Sequence, residues 1–275
     1  MTDRRFHPAN ARVALTGIAD TAPGVVLTDG TPMSVTAGVA DLLSAPDGPR
    51  DRQLLYGTDF LVLELREGWA FGQSGHDGYV GYLRESDLGP PVSATHIVAA
   101  RSTHGYDAPD VKARDVLPLS FGARVRVVSE TRTHMETDRG LHIPKAHLRG
   151  ADHPFSDPAT VAQLFFGTPY LWGGNSAFGI DCSGLVQAAA RAAGIAAPPD
   201  SDLQAAGLGI ALSPTAELAR GDLVFWPGHV GIMADSETLL HATAHYMAVV
   251  YEPLERAIAR ISAAEGKEVT VRRRL

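Results

Sequence analysis

The residue pattern of this chain changes once, near Gly150, and that change restricts its fold more than any other feature. Before it lie short runs of β-branched and aromatic residues separated by turn residues, while after it come an alanine-rich run of helical length and a further series of strand-length runs. In LLYGTDFLVLELREGWAFGQSGHDGYVGYL, Glu67-Gly68 and Asp77-Gly78 interrupt apolar stretches and read as hairpin turns. Gly89-Pro90-Pro91 then punctuates the chain and marks a module boundary. The segment up to residue 149 echoes the first: Leu54-Leu55-Tyr56-Gly57 is matched by Leu119-Ser120-Phe121-Gly122, and Tyr82-Leu83 followed by Leu88 has the spacing of His142-Ile143 followed by Leu148. Copies about 60 to 65 residues apart, each with the length and strand content of a small barrel, predict two β-barrel modules over 31–90 and 91–149. Residues 1–30, polar and turn-rich, read as a lead-in arm.

Beyond Gly150, Asp157-Pro158 supplies an N-cap and a proline at the first helical position. The run CSGLVQAAARAAG predicts a second helix closed by Gly194. Strands are expected at 221–226, 230–233, 239–242, 248–251 and 269–273, with a helix over 254–261 between the last two. A helix followed by antiparallel strands makes 150–275 an α+β domain. The 275 residues, 45% hydrophobic and 20% charged, suffice for two or three folded domains of ordinary composition.

Charge excludes some partners. With 24 Lys+Arg against 31 Asp+Glu the net charge is -7, which offers no basic field to a nucleic acid or an anionic membrane. No apolar run has the length of a bilayer span, and MTDRRFHPANARVALTGIAD lacks the order of a secretory signal, so the expected location is the cytoplasm. The lone cysteine allows neither an internal disulfide nor a cysteine-rich zinc site. Neither HExxH nor paired-cysteine spacing occurs, so no metal or other cofactor is expected, and His76, His104 and His134 read as loop or surface groups.

A lone thiol is inert filler, an intermolecular link or a nucleophile. Cys182 stands where a glycine-rich loop meets a helix, and there the helix dipole and unpaired N–H groups favour thiolate. A thiol nucleophile needs a base, and two histidines lie on predicted strands downstream, His229 in GHVGI and His241 in LLHA. One could accept the thiol proton while the other holds its ring in the required tautomer.

Taken in order, Tyr170-Leu171-Trp172-Gly173-Gly174, Gly179-Ile180-Asp181-Cys182-Ser183-Gly184, Gly221-Asp222-Leu223-Val224-Phe225-Trp226 and His229-Val230-Gly231-Ile232 resemble the NlpC/P60 cysteine peptidases. The resemblance covers about residues 150 to 275. It implies a papain-like α+β core that hydrolyses bacterial cell-wall peptides, with Cys182 as nucleophile, His229 as base and His241 as the orienting third residue. His245 is the rival for that third place. Tyr170 and the Cys182 backbone N–H are the implied oxyanion donors.

The two β modules resemble bacterial SH3-type barrels. Joined to this core they look like the γ-D-glutamyl-L-diamino-acid endopeptidases that trim free muropeptides bearing an N-terminal L-alanine. That resemblance implies recognition of the substrate ammonium by Tyr79, Asp181, Ser183 and Ser201. After Tyr56-Gly57 the subgroup carries a glutamate where this chain has Thr58, which leaves Asp59 as the candidate carboxylate, and Pro199 stands where arginine is frequent. The expected enzyme is a monomer acting on L-Ala-γ-D-Glu-meso-diaminopimelate peptides in murein recycling. Hydrolysis of intact wall peptides, an amidase or acyltransferase on the same thiol, and a wall-binding module with a vestigial site are the competing readings.

Overall fold

The computed structural model describes residues 3–18 and 22–275, so residues 1, 2 and 19–21 of the predicted arm lie outside the described residues. The chain forms two compact units, Met1–Asp152 and His153–Leu275.

In the first unit, a seven-stranded sheet is built from Thr31–Val35, Val39–Leu43, Arg50–Leu55, Asp59–Arg66, Trp69–Ser74, Val80–Arg84 and Leu88–Gly89. Glu67 and Gly68 have φ of 54° and 80°, which lets a two-residue turn pair Arg66 with Trp69. Alternate residues of these strands point inward, and Val35, Leu42, Leu54, Phe60 and Leu83 form the core. A second module follows, with a three-stranded sheet (His96–Val98, Arg124–Val125, Leu148–Gly150) and a five-stranded one spanning Ser102–Tyr106 to His142–Pro144. Its core contains Val98, Leu119, Val125 and Ile143.

The sequence echo is also an echo of hydrogen bonding. Val35 N–H donates to Thr58 O and Gly57 N–H to Val35 O, while in the second module Val98 N–H donates to Ala123 O and Gly122 N–H to Val98 O. Single 3-10 turns, Glu85–Asp87 and Lys145–His147, then deliver Leu88 to pair with Val35 and Leu148 to pair with Val98. The modules touch at Gly57, where φ is 75° and a Cβ would stand 2.0 Å from Arg124 O. Glycine is required there on both counts, and the neighbouring Tyr56 ring enters the second module's core.

The N-terminal segment lies against the first module. Its Val13–Leu15 and Val26–Thr28 pair as parallel strands, Arg4 bonds both oxygens of Asp51, and Asn10 and Arg12 hold Glu64.

The second unit has four helices: α1 (Pro158–Gln163), α2 (Cys182–Ala192), α3 (Ser201–Gly207) and α4 (Leu254–Glu265). Its sheet has the order Ile210–Ala211, Val271–Arg274, Leu223–Trp226, His229–Met233, Thr238–Thr243, Ala248–Pro253, and every pairing is antiparallel. Asp157 caps α1 by accepting from Ala159 N–H at 2.9 Å. The alanines of α2 let it lie close on the strands His229–Met233 and Thr238–Thr243, and most of the helix is buried. Two helices differ from the sequence expectation. Helix α3 goes unread because its seven residues include two glycine- or turn-prone ends and no apolar stripe, and it is held by buried Gln204, which donates to Ser183 O and Pro198 O. Helix α4 runs four residues beyond Ile261, until Gly266 closes it at φ 65°. No helix among the described residues is long and apolar enough to cross a membrane.

Candidate active site

The thiol is placed by a capped helix start. Asp181 is the N-cap of α2 and accepts from Gly184 N–H at 2.7 Å and Ser183 Oγ at 2.9 Å through Oδ1, and from Gly173 N–H at 2.9 Å through Oδ2. One carboxylate thereby ties the Trp172-Gly173-Gly174 loop to the first turn of the helix, with Cys182 at its first position. Gly184 permits the close approach, since a Cβ there would lie 2.4 Å from Asn175 Oδ1 and 2.5 Å from Gly174 O.

Cys182 is buried, with 8% of its surface exposed. Burial pushes its thiol up to about 12 and the Asp181 carboxylate adds to this, while the N–H groups of Val230, Ser183 and Cys182 itself pull the other way. Val230 directly follows His229, so the thiol meets the start of the His229–Met233 strand. Tyr170 is half-buried, and its hydroxyl is pushed up by burial and by the nearby charges of Cys182 and Asp181, so it stays protonated and able to donate.

Strand register brings the histidines together. Ile232 pairs with Leu240 and Leu239 with Glu252, so by the two-residue period His229, His241 and Glu252 share one face of the sheet. That face also carries Trp226, Met233 and Leu239, which pack with Leu254, Ala257 and Ile261 of α4. His229 Nε2 lies 2.9 Å from His241 Nδ1, and the Trp226 ring flanks His229 at 5.7 Å. His245 stacks edge-on against Tyr246 at 4.6 Å, and its backbone N–H donates to Thr243 Oγ1; the partner of His229 is His241. Burial depresses His229 to about 3, and burial also lowers His241. Both imidazoles are therefore neutral at ordinary pH.

These directions run against the pull of the helix start toward thiolate. For the thiol taken alone burial outweighs the helix dipole, and the imidazole of His229, whose neighbour Val230 turns its N–H toward the sulfur, is neutral. A thiol and a neutral imidazole can still act as nucleophile and base, because moving one proton from sulfur to nitrogen creates two opposite charges that compensate each other.

Sequence reasoning missed the groups beyond His241. Glu252 Oε2 lies 3.1 Å from His241 Nε2, Arg260 of α4 donates to both Glu252 oxygens at 3.0 and 2.8 Å, and Tyr246 Oη donates to Oε1 at 3.3 Å. Although burial opposes it, hydrogen bonds from His241 and Arg260 hold Glu252 down to about 2, and it is ionised. The sequence signal was a glutamate in AVVYEP, in a strand where Tyr251 is exposed and Glu252 buried, the reverse of the usual polarity.

The remaining expected residues fall into two places. Ser183 is buried beside the thiol with its hydroxyl given to Asp181, and Ser201 begins α3, half-buried, one turn before the Gln204 that anchors this helix to Ser183 O. Tyr79 and Asp59 belong to the first unit. Tyr79 is 3% exposed and packs against Phe6 at 5.9 Å and under Arg52 at 5.3 Å, whereas Asp59 is exposed and accepts from Ser34 Oγ. Thr58 is buried. Among the described residues no group of three or more His, Cys, Asp or Glu is placed to hold a metal ion.

Comparison with known proteins finds matches to both parts of the chain. Residues 167–263 match the NlpC/P60 family, and residues 42–88 match the bacterial dipeptidyl-peptidase SH3 domain. The chain is 27% identical over 236 residues to dipeptidyl-peptidase 6 of Lysinibacillus sphaericus, covering 76% of this chain and 86% of that one. It is also 27% identical over 219 residues to a gamma-D-glutamyl-L-lysine dipeptidyl-peptidase of Bacillus subtilis, covering 69% and 71%. A crystal structure of an NlpC/P60 family protein from Bacillus cereus superposes with a TM-score of 0.75 at 20% identity, over 89% of this chain and 99% of that chain, and shares the fold. The protein thus carries an NlpC/P60 peptidase domain of papain-like fold, preceded by a bacterial SH3-like domain.

Proposed function

We propose that this protein, a peptidoglycan-directed NlpC/P60 peptidase, hydrolyses the γ-D-glutamyl–diamino acid bond of cell-wall peptides that carry a free N-terminal L-alanine, in cytoplasmic murein peptide recycling. The observation that carries the reading is the pairing of His229 with His241 at 2.9 Å in the domain where a buried thiol opens a helix and meets the N–H of Val230, the residue after His229. The names of relatives that span most of this chain, dipeptidyl-peptidase 6 and the gamma-D-glutamyl-L-lysine dipeptidyl-peptidase, support the bond and the substrate class.

In this mechanism His229 takes the Cys182 proton as sulfur attacks the γ-carbonyl of D-Glu. The oxyanion forms beside the Cys182 backbone N–H and the protonated Tyr170 hydroxyl. His229 then gives its proton to the departing diamino-acid amine, leaving a thioester, and a water deprotonated by the same imidazole releases the L-Ala-γ-D-Glu product. His241 keeps the ring oriented through both steps. Asp181, Ser183 and Ser201 are assigned to the substrate ammonium. An ammonium needs such acceptors to leave water.

The test is hydrolysis of L-Ala-γ-D-Glu-meso-diaminopimelate and of its N-acetylated form by wild type and by Cys182→Ala. Wild type is expected to cut the free peptide and to lose nearly all activity on acetylation, and Cys182→Ala to cut neither. Equal cleavage of the acetylated peptide would sink the recycling role in favour of hydrolysis of intact wall peptides. No cleavage of either by wild type would point to acyl transfer or to wall binding.

A further inference from the structure

We infer that Glu252, clamped by Arg260, is a positioning residue that sets the tautomers of both active-site histidines and so leaves Nδ1 of His229 free to act as the base. The argument starts from donors and acceptors. Glu252 is ionised and can only accept, so the nitrogen facing it, Nε2 of His241, carries that ring's proton. His241 is neutral, so its Nδ1 is an acceptor. The contact at 2.9 Å then requires His229 to donate from Nε2. His229 is neutral as well, which leaves its Nδ1 unprotonated. The direction of each hydrogen bond follows from the one before, and the only anchor of the series is the carboxylate.

Arg260 makes that anchor one-directional. Its Nε donates to Oε1 and its Nη2 to Oε2, Tyr246 Oη also donates to Oε1, and His241 donates to Oε2. Two oxygens thus receive four donors, which a carboxylate satisfies and a neutral acid or an amide does not. The titratable and charged groups around this cluster come from three elements: neutral His241 on the neighbouring strand, Arg260 on α4 with Glu265 acting on it, and Lys267 beyond the helix acting on His229. The net effect keeps Glu252 ionised and both rings neutral. The inference deepens the proposed mechanism and rests on His229 being its base.

The test uses the full-length protein with histidines labelled with nitrogen-15, and follows alkylation of Cys182, the chain's one cysteine, by iodoacetamide across pH. In wild type, long-range proton–nitrogen spectra at neutral pH are expected to show both His229 and His241 protonated at Nε2. In Glu252→Gln an amide N–H₂ faces Arg260 or His241, and the ordered tautomers are expected to be lost. Alkylation at neutral pH should then slow by about 10- to 100-fold, since misdirecting a catalytic base removes much of its contribution. Glu252→Asp, which keeps the charge, should recover part of the rate.

A wild-type spectrum with His241 protonated at Nδ1 would overturn the inference, and it needs no variant to fold. So would a folded Glu252→Gln protein that keeps the wild-type tautomers and alkylates within about twofold of wild type. None of these readouts uses a peptide. If wild type alkylates no faster than free cysteine and cuts no peptide, the peptidase reading fails, while the tautomer spectra still decide the role of Glu252.

Discussion

At the residue scale the site rests on Asp181, which serves the helix and opposes the thiolate at once. Its oxygens cap α2 and hold the Gly173 loop, while its charge helps to raise the Cys182 thiol. Asp181→Asn keeps a capping oxygen but loses the charge. Cys182 in that variant is expected to alkylate on a basic limb shifted to lower pH, whereas KM for a free-amine peptide should rise if this carboxylate binds the ammonium. Opposite movement of the two readouts separates the roles. The acid limb follows from His229. Because its pKa is lowered, to about 3, the base stays neutral as pH falls through the usual imidazole range near 6.5 and is lost only below it. The pH profile of kcat/KM should hold its plateau down to about pH 5. An acid limb centred near 6.5 would mean that His229 is hydrated or is not the base.

At the scale of elements, the approach of α2 to the Gly174–Asn175 strand start decides where sulfur sits. Gly184→Ala would put a methyl 2.4 Å from Asn175 Oδ1 and 2.5 Å from a backbone carbonyl, and neither contact is the tip of a long, adaptable side chain. The substitution is expected to destabilise the domain by about 1 to 3 kcal/mol. Urea unfolding would show it as a lower midpoint at unchanged slope, with slower Cys182 alkylation in the folded variant because the helix start is displaced. An unchanged midpoint would mean that the loop yields freely. Helix α4 contributes from the other side of the cluster: Leu254, Ala257 and Ile261 bury its apolar stripe, and that packing fixes where Arg260 meets Glu252.

At the scale of the whole molecule, Cys182 and the series from His229 through His241 and Glu252 to Arg260 lie inside His153–Leu275, together with the core that supports them. The first unit has its own two cores, joined at Gly57 and Tyr56. Residues 153–275 expressed alone should therefore fold and alkylate Cys182 at a rate within a fewfold of the full chain. If residues of the SH3-like domain hold the ammonium, the same fragment should lose its preference for free over acetylated peptide. Retention of that preference would place amine recognition wholly within the catalytic domain and remove Tyr79 and Asp59 from it.

Much of this protein was legible without coordinates, because local chemistry leaves local marks. Asp157-Pro158 starts a helix, Glu67-Gly68 turns a hairpin, and the DCSG motif puts a thiol on a helix start. Each depends on residues within a few positions of one another. The repeat of Tyr56-Gly57 in Phe121-Gly122 was legible for the same reason. Other features depend on pairs far apart in the chain. The Leu-Leu-His pattern already favoured His241 over His245, but only the strand register could bring that ring against His229, and only the packing of α4 could bring Arg260 to Glu252 and turn a strand glutamate inward while Tyr251 faces solvent. The protonation of the site likewise escaped the sequence: the helix dipole is local and favours thiolate, whereas desolvation is a property of the assembled core, and at Cys182 it is the larger effect.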